Sequence, residues 1–356
     1  VKRNPFGLGF FFWYGKNKIK IGNYGEVKEN MIMKRLQLAN LPTPIQKLDR
    51  LSEGLGVNLY LKRDDFTGTE VSGNKIRKLE FSLADALNQG CDTLITAGGI
   101  QSNHCRATAA AAAKLGLGCD LIVRGEIPTY MEGNLFMDKA LGARVHMIPP
   151  EQSREKKMDE VIKNLKEQGH KPYLIPVGAS NAVGSLGYAA ALAEITKQEQ
   201  ELGIAFDTIV IAVGSGGTYS GLWYENQKQG AKRKIFGFAV DHNTEIFVET
   251  ISDIIKEMYR NEGLREPHQF NDILINDQYI GAGYAKSRPE ELSYIMKISR
   301  EHGFLLDPVY TGKAFYGMIS EIEKGSFQDA KNILFIHTGG LQGWTHEQRE
   351  MALKLL

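Results

Sequence analysis

Apolar residues in this chain come in short continuous runs rather than in alternation. "NLYLKRD" (58–64), "TLITAGG" (93–99), "CDLIVRG" (119–125) and "ARVHMIP" (143–149) are rich in Leu, Ile and Val, and each is closed by charge, glycine or proline. Stretches with helical character separate them: 75–88, the alanine-rich 103–115, and the charged 151–169. Further runs follow at 171–178, 207–217, 234–240 and 332–340. Unbroken apolar strands alternating with helices predict parallel sheets covered on both faces. The strands are too many for one small sheet, so the pattern predicts two α/β domains. Several runs end in glycine, and the carboxyl ends of parallel strands are where such folds bind ligands. Internal repeats and low-complexity tracts are absent from the sequence.

Length agrees with this picture, since 356 residues suffice for two domains. The 43 basic and 42 acidic side chains leave a formal charge of +1, which argues against nucleic acid as a partner. "LGFFFWYG" (8–15) is apolar but about half as long as a membrane span, and no small-residue cleavage site follows it. Neither a membrane nor a secretory route is expected. Residues 1–31 read as an N-terminal extension with little part in the chemistry. The expected location is the cytoplasm, or the mitochondrion if a presequence is missing ahead of Val1, which is not a methionine. The three cysteines form no CxxC or Cys/His pairing, so no metal is expected and a reducing compartment fits.

Four stretches carry candidate chemistry. In "VSGNKIRKLE" (71–80), Lys75 follows a Ser-Gly-Asn turn at a helix start, either as a solvated charge or as a reactive amine. In "AVGSGGTYSGL" (212–222), an apolar strand runs into Gly214, Ser215, Gly216, Gly217 and Thr218 and then a helix. Such a turn offers free N–H groups and a positive dipole end to a phosphate, or is merely a tight turn. The spacing matches neither a Walker loop nor a clean GxGxxG fingerprint; Asp241 is the nearest acidic residue to the place that fingerprint requires. "AGGIQSNHCRATAAAAAKLG" (97–116) gathers Gln101, Ser102, Asn103 and His104 at a strand end, a capped helix or a second anion site. "DPVYTGKA" (307–314) and "HTGGLQG" (337–343) contribute Tyr310, Thr311, His337, Thr338 and Gly339. Of these, His337 reads as a satisfied strand-end histidine rather than a base.

Taken in order from about Leu41 onward, these motifs, with "EGNLFMDKALGA" and "IPVGASNAVGSLGY", resemble the fold-type II pyridoxal-phosphate enzymes. Within them the chain resembles the D-cysteine desulfhydrase and aminocyclopropane-carboxylate deaminase group. The resemblance implies a fold of the tryptophan synthase β type, with a large cofactor domain (32–75 and 188–356), a small domain (76–187), the site between them and a homodimer. It implies pyridoxal 5'-phosphate carried by Lys75, with Asn74 beside it. Asn103 would meet the cofactor phenolic oxygen, residues Gly214 to Thr218 its phosphate, and Tyr310 its ring. Ser102, with Gln101, Asn103, His104 and Gly339, would bind substrate, and Tyr284 of "GAGYAKSRPEE" would reach it. Lys75, Ser102, Tyr284 and Tyr310 are the expected catalytic set. In the deaminase subgroup a glutamate follows the stacking tyrosine; here Thr311 follows, and Thr338 closes the last strand. Neutral hydroxyls leave the pyridine nitrogen a weaker electron sink. That favours β-elimination of D-cysteine to pyruvate, sulfide and ammonia over opening of a cyclopropane. The preference for a D-substrate is implied by the resemblance alone.

Overall fold

The computed structural model describes residues 35–356, so the extension expected over 1–31 lies outside the described residues. The first described elements are β1 (Ile45–Lys47), α1 (Asp49–Leu55), β2 (Asn58–Lys62) and α2 (Lys75–Asn88). Next come β3 (Thr93–Gly99), α3 (Asn103–Leu115), β4 (Gly118–Arg124), α4 (Gly133–Ala140), β5 (Arg144–Ile148), α5 (Arg154–Glu167) and β6 (Pro172–Leu174). The remainder runs α6 (Ala182–Leu202), β7 (Thr208–Val213), α7 (Gly217–Lys228), β8 (Lys234–Ala239), α8 (Thr244–Asn261), β9 (Leu274–Asn276), α9 (Pro289–His302), α10 (Thr311–Glu323), β10 (Asn332–Ile336) and α11 (His346–Lys354).

Two sheets result. The larger has the order β1-β2-β10-β7-β8-β9, and the smaller β5-β4-β3-β6. Each is clothed on both faces, as the unbroken apolar runs require. In β7, Ile209, Ile211 and Val213 pack among α6, α7 and α8, while Val210 and Ala212 face the core under α9 and α10. In the smaller sheet, Ile95 and Ile122 meet Val161 and Leu165 of α5. Its other face packs on α2 and α3 through Leu79, Leu83, Ala107 and Ala111. Burial of apolar surface contributes about 25 cal/mol per Å².

Local signals set the element ends. Ser102 caps α3, its Oγ accepting from Cys105 N at 3.2 Å, and Gly116 at φ 69° closes the helix in the left-handed region. Two sequence expectations need correction. The large sheet is not purely parallel, because β1 pairs antiparallel with β2. The run 171–178 yields a strand of only three residues, since Pro176 lacks a donor and Gly178 turns at φ 70°. The main chain leaves the large sheet after β2, builds the small one, and returns through α6, whose Tyr188, Leu192 and Ile195 lie in the large core.

Candidate active site

The carboxyl ends of β3, β7 and β10 open onto one cleft of about 420 Å³. Lys75 enters it from the first residue of α2. The turn before it is tightly determined. Gly73 sits at φ 100°, and a Cβ there would fall 2.6 Å from the Thr338 carbonyl oxygen. Its N–H donates to Asp64 O at 3.1 Å, and Asn74 N donates to Thr338 O at 3.1 Å. Behind the turn, Arg77 donates to Asp64 at 2.8 Å and to Glu194 at 3.0 Å, with all three charges withdrawn from solvent. Breaking one partner of such a network leaves an uncompensated buried charge, so the start of α2 is held firmly. Burial lowers the Lys75 amine to about 8, against an opposing pull from the Asp307 carboxylate. About a tenth of this amine is therefore neutral, and nucleophilic, at pH 7, far more than for an ordinary lysine.

Facing Lys75 is the glycine turn. Asn74 Nδ2 donates to Thr218 Oγ1 at 3.1 Å and ties the lysine turn to the first turn of α7. Gly214, Ser215, Gly216 and Thr218 line the cleft. Gly217 does not: its N–H donates to Ser180 Oγ at 3.3 Å, and a Cβ would strike that serine. Behind this end, and not lining the cleft itself, lies a residue that sequence reading missed. Lys78, one turn past Lys75, is fully buried, and among the described residues its Nζ has a single polar contact, Ser180 Oγ at 3.2 Å. Ser180 in turn meets Ser215 Oγ at 2.8 Å. Burial, and then the nearby Lys75, push the Lys78 amine well below its ordinary value. A buried lysine amine with no carboxylate partner, beside a glycine turn at a helix N-terminus, takes up a proton most readily when an anion that the protein does not itself supply is bound there.

The third wall is the mouth of α3. Asn103 Oδ1 accepts from Asn134 Nδ2 at 2.9 Å, which leaves Asn103 Nδ2 as a free donor in the cleft. Ser102 lines the cleft beside Gly98 and Gly99. His104 also lines it, with an assignable tautomer. The Thr96 hydroxyl proton must go to Ile175 O at 2.8 Å, so His104 Nε2 donates to Thr96 Oγ1 at 2.8 Å. Nδ1 is left as an unpartnered acceptor, and burial, with Lys75 and Lys78 nearby, holds the ring neutral by pushing its pKa well below the ordinary value. In this state His104 offers a bound substrate an acceptor at Nδ1 rather than a donor.

Three further expectations change. Gln101 points away: its Oε1 accepts from Asn134 N at 2.7 Å and its Nε2 donates to Glu132 O at 3.2 Å, so it braces Asn103 through Asn134. Thr311 is buried outside the cleft, where its hydroxyl donates to Asp307 Oδ1 at 2.6 Å and accepts from Asp307 N at 2.8 Å. Gly339 packs against Gly73 rather than lining the cleft. Thr338 does line it, and His337 is a satisfied strand-end residue, bonded to Leu305 O and Gly339 N. Tyr310 lies over the glycine turn, 3.1 Å from where a Gly214 Cβ would sit, and its hydroxyl meets that of Tyr284 at 2.5 Å. Asp307 anchors Tyr310 by accepting from Val309 N, Tyr310 N and Thr311 N.

The donor set fits a phosphorylated aldehyde: an amine lowered to about 8, a glycine turn backed by a buried lysine, a free amide donor and an aromatic plate. Comparison with known proteins agrees. A D-cysteine desulfhydrase of Serratia proteamaculans is 40% identical over 311 residues, covering 86% of this chain and 93% of that protein. A bifunctional D-cysteine desulfhydrase/1-aminocyclopropane-1-carboxylate deaminase, mitochondrial, of Arabidopsis thaliana is 41% identical over 327 residues, covering 88% and 80%. A crystal structure described as an ACC deaminase homologue superposes with a TM-score of 0.83 at 39% identity, covering 90% of this chain and 96% of that one. Threonine deaminase isoform 2 of Solanum lycopersicum, at 18% identity and a TM-score of 0.60 over 89% and 84%, shares the fold alone. The family described as pyridoxal-phosphate dependent enzyme matches residues 36–339, and the chain belongs to it, with a fold-type II architecture, as an enzyme of its carbon–sulfur lyase and deaminase branch.

Proposed function

We propose that the protein is a D-cysteine desulfhydrase, releasing sulfide, pyruvate and ammonia by α,β-elimination. The observation that carries the choice is the residue at the end of β10. Thr338 lines the cleft there, and Thr311, where the deaminase subgroup has a glutamate, is turned into the Asp307 network. No carboxylate lines the cleft beside them; the one carboxylate among its described lining residues is Asp241, beyond β8. Elimination of a thiolate asks less of the electron sink than opening a cyclopropane does.

Pyridoxal phosphate, when bound, supplies that sink for the electron pair left at the substrate α-carbon. The protein's residues do the rest. Lys75 is the expected point of attachment, and its freed Nζ then takes the α-proton. Gly214, Ser215, Gly216 and Thr218, with Lys78 behind them, would hold the phosphate. Asn103 Nδ2 donates to the phenolic oxygen, and Ser102 with the N–H groups of α3 binds the substrate carboxylate and orients the α C–H bond. Tyr310 stacks on the ring, and the Tyr284 hydroxyl reaches the substrate. A large domain of 32–75 and 188–356, a small domain of 76–187, a homodimer and a cytoplasmic or mitochondrial setting accompany this reading.

Deaminase activity toward 1-aminocyclopropane-1-carboxylate is the second reading, favoured by the double name of the Arabidopsis relative. One assay separates them: purified holoenzyme with D-cysteine, L-cysteine and the cyclopropane in parallel. Sulfide from D-cysteine far above the other signals is expected. Production of 2-oxobutyrate from the cyclopropane, without sulfide, overturns the choice.

A further inference from the structure

Two arginines on the small-domain wall of the cleft have no work in the account above. Arg124 ends β4 and Arg154 begins α5, and both line the cleft. Among the described residues no carboxylate lies within 4.0 Å of either guanidinium. Both border the same cleft and both act on one neighbour. Glu155 is held below the usual carboxylate range by its own backbone N–H and by Ser153, with smaller pulls from both Arg154 and Arg124. Glu155 is nevertheless engaged elsewhere, accepting from Ser153 Oγ at 2.7 Å. Across the cleft, Asp241 lies 3.6 Å from His242.

Every anion assigned so far has its own donors. The cofactor phosphate has the glycine turn and Lys78, and the substrate α-carboxylate has Ser102 and the N-terminus of α3. Two unpaired guanidiniums are therefore in surplus. Arg124 also borders a second cavity of about 540 Å³, which shares Gly99, Tyr284 and Tyr310 with the first. The tyrosine pair forms part of the wall common to both, so room exists next to the patch for a substituent larger than a thiol.

We infer that Arg124 and Arg154 form a subsite for an anionic β-substituent, so that the enzyme accepts amino acids bearing a sulfate ester on the β-carbon. This rests on the elimination reading and names its substrate class. With D-serine O-sulfate the balance is closed. The α C–H and β C–O bonds break, a C=C bond forms, and sulfate leaves with the bonding pair. Water then converts the released 2-aminoacrylate to pyruvate and ammonia, with no net oxidation. Planar guanidiniums suit a tetrahedral oxyanion, since each can donate two parallel hydrogen bonds.

The test compares D-serine O-sulfate with β-chloro-D-alanine, a D-substrate of uncharged side chain, on wild-type, R124Q, R154Q and R124K holoenzymes. Binding is read separately through the change in the cofactor's visible spectrum, so a failure of turnover does not mask the subsite. The glutamine variants should raise KM and the spectral Kd for D-serine O-sulfate about tenfold. They should leave kcat/KM for β-chloro-D-alanine within about twofold, and R124K should recover part of the loss. Equal losses on both substrates assign the arginines to the α-carboxylate, and a loss of cofactor affinity assigns them to the phosphate. Either result, or no change at all, overturns the inference. If wild-type enzyme turns over neither substrate yet binds D-serine O-sulfate through these arginines, the elimination reading fails and the subsite stands.

Discussion

Lys78 Nζ lies 3.2 Å from Ser180 Oγ, its sole polar contact among the described residues, so protonating this fully buried amine leaves the charge without a carboxylate. An isolated buried charge is costly, and this one is placed beside the glycine turn. Replacing it by methionine should act in opposite directions with and without cofactor. K78M should raise the melting temperature of the cofactor-free protein. It should also weaken pyridoxal phosphate binding by about 1.5–3 kcal/mol, that is tenfold or more, the worth of a hydrogen bond to a charged group. Thermal melts of both forms and a spectroscopic titration check this; unchanged cofactor affinity would remove Lys78 from the phosphate site.

The Lys75 amine reacts with an aldehyde only when neutral, and burial sets its pKa at about 8. The cofactor-free protein should therefore take up pyridoxal phosphate faster as pH rises, about tenfold per unit below 8, and level off above it. Stopped-flow mixing across pH 6–10 reads this directly. A plateau reached only near the ordinary lysine value, about 10.4, would show that the amine is solvated.

What was legible in the sequence follows from how local each signal is. The glycine turn, the Ser102 cap and the Lys75 turn are written in consecutive residues, and the structure has these elements at the expected positions. Lys78 was not legible, because a lysine on a helix is ordinarily a surface charge and nothing local marks that side of α2 as interior. The available clue was its position one turn after Lys75, followed by the buried Leu79. Thr311 was misplaced for a related reason. It follows Tyr310 directly, but consecutive positions at a helix start are rotated by about 100°, so one side chain faces the cleft and the next faces Asp307. Gln101 adjoins Ser102 in sequence and yet braces Asn134, a partner contributed by α4 that no spacing rule foretells.

Thr311 now makes a structural prediction. Its hydroxyl both donates to and accepts from Asp307, whose carboxylate holds the first N–H groups of α10 and with them Tyr310. T311V should cost about 1–3 kcal/mol in urea denaturation, the penalty for leaving buried polar groups unpaired. T311S should restore most of the stability. Full stability of T311V would show that the network does not need the hydroxyl.

Asp138 predicts a pH-dependent stability. It is 1% exposed, neither carboxyl oxygen has a hydrogen-bond partner, and burial raises its pKa to about 8 despite the nearby Arg106. The folded state keeps the proton that the unfolded chain releases near pH 4, so stability drains away as pH rises from about 4 to about 8. D138N lacks this titration. Its stability advantage over wild type should grow through that window and then level off, as read by urea midpoints from pH 5 to 9. An advantage independent of pH would mean that the carboxyl is ionised in the fold.

The central claim is that one particular amine of this chain carries the cofactor, and borohydride reduction of the holoenzyme followed by peptide mass mapping addresses it most directly. The account predicts a phosphopyridoxyl mass increment on Lys75 alone, absent from K75A. The same increment on Lys78, or on no lysine of a protein that turns over D-cysteine, would contradict it.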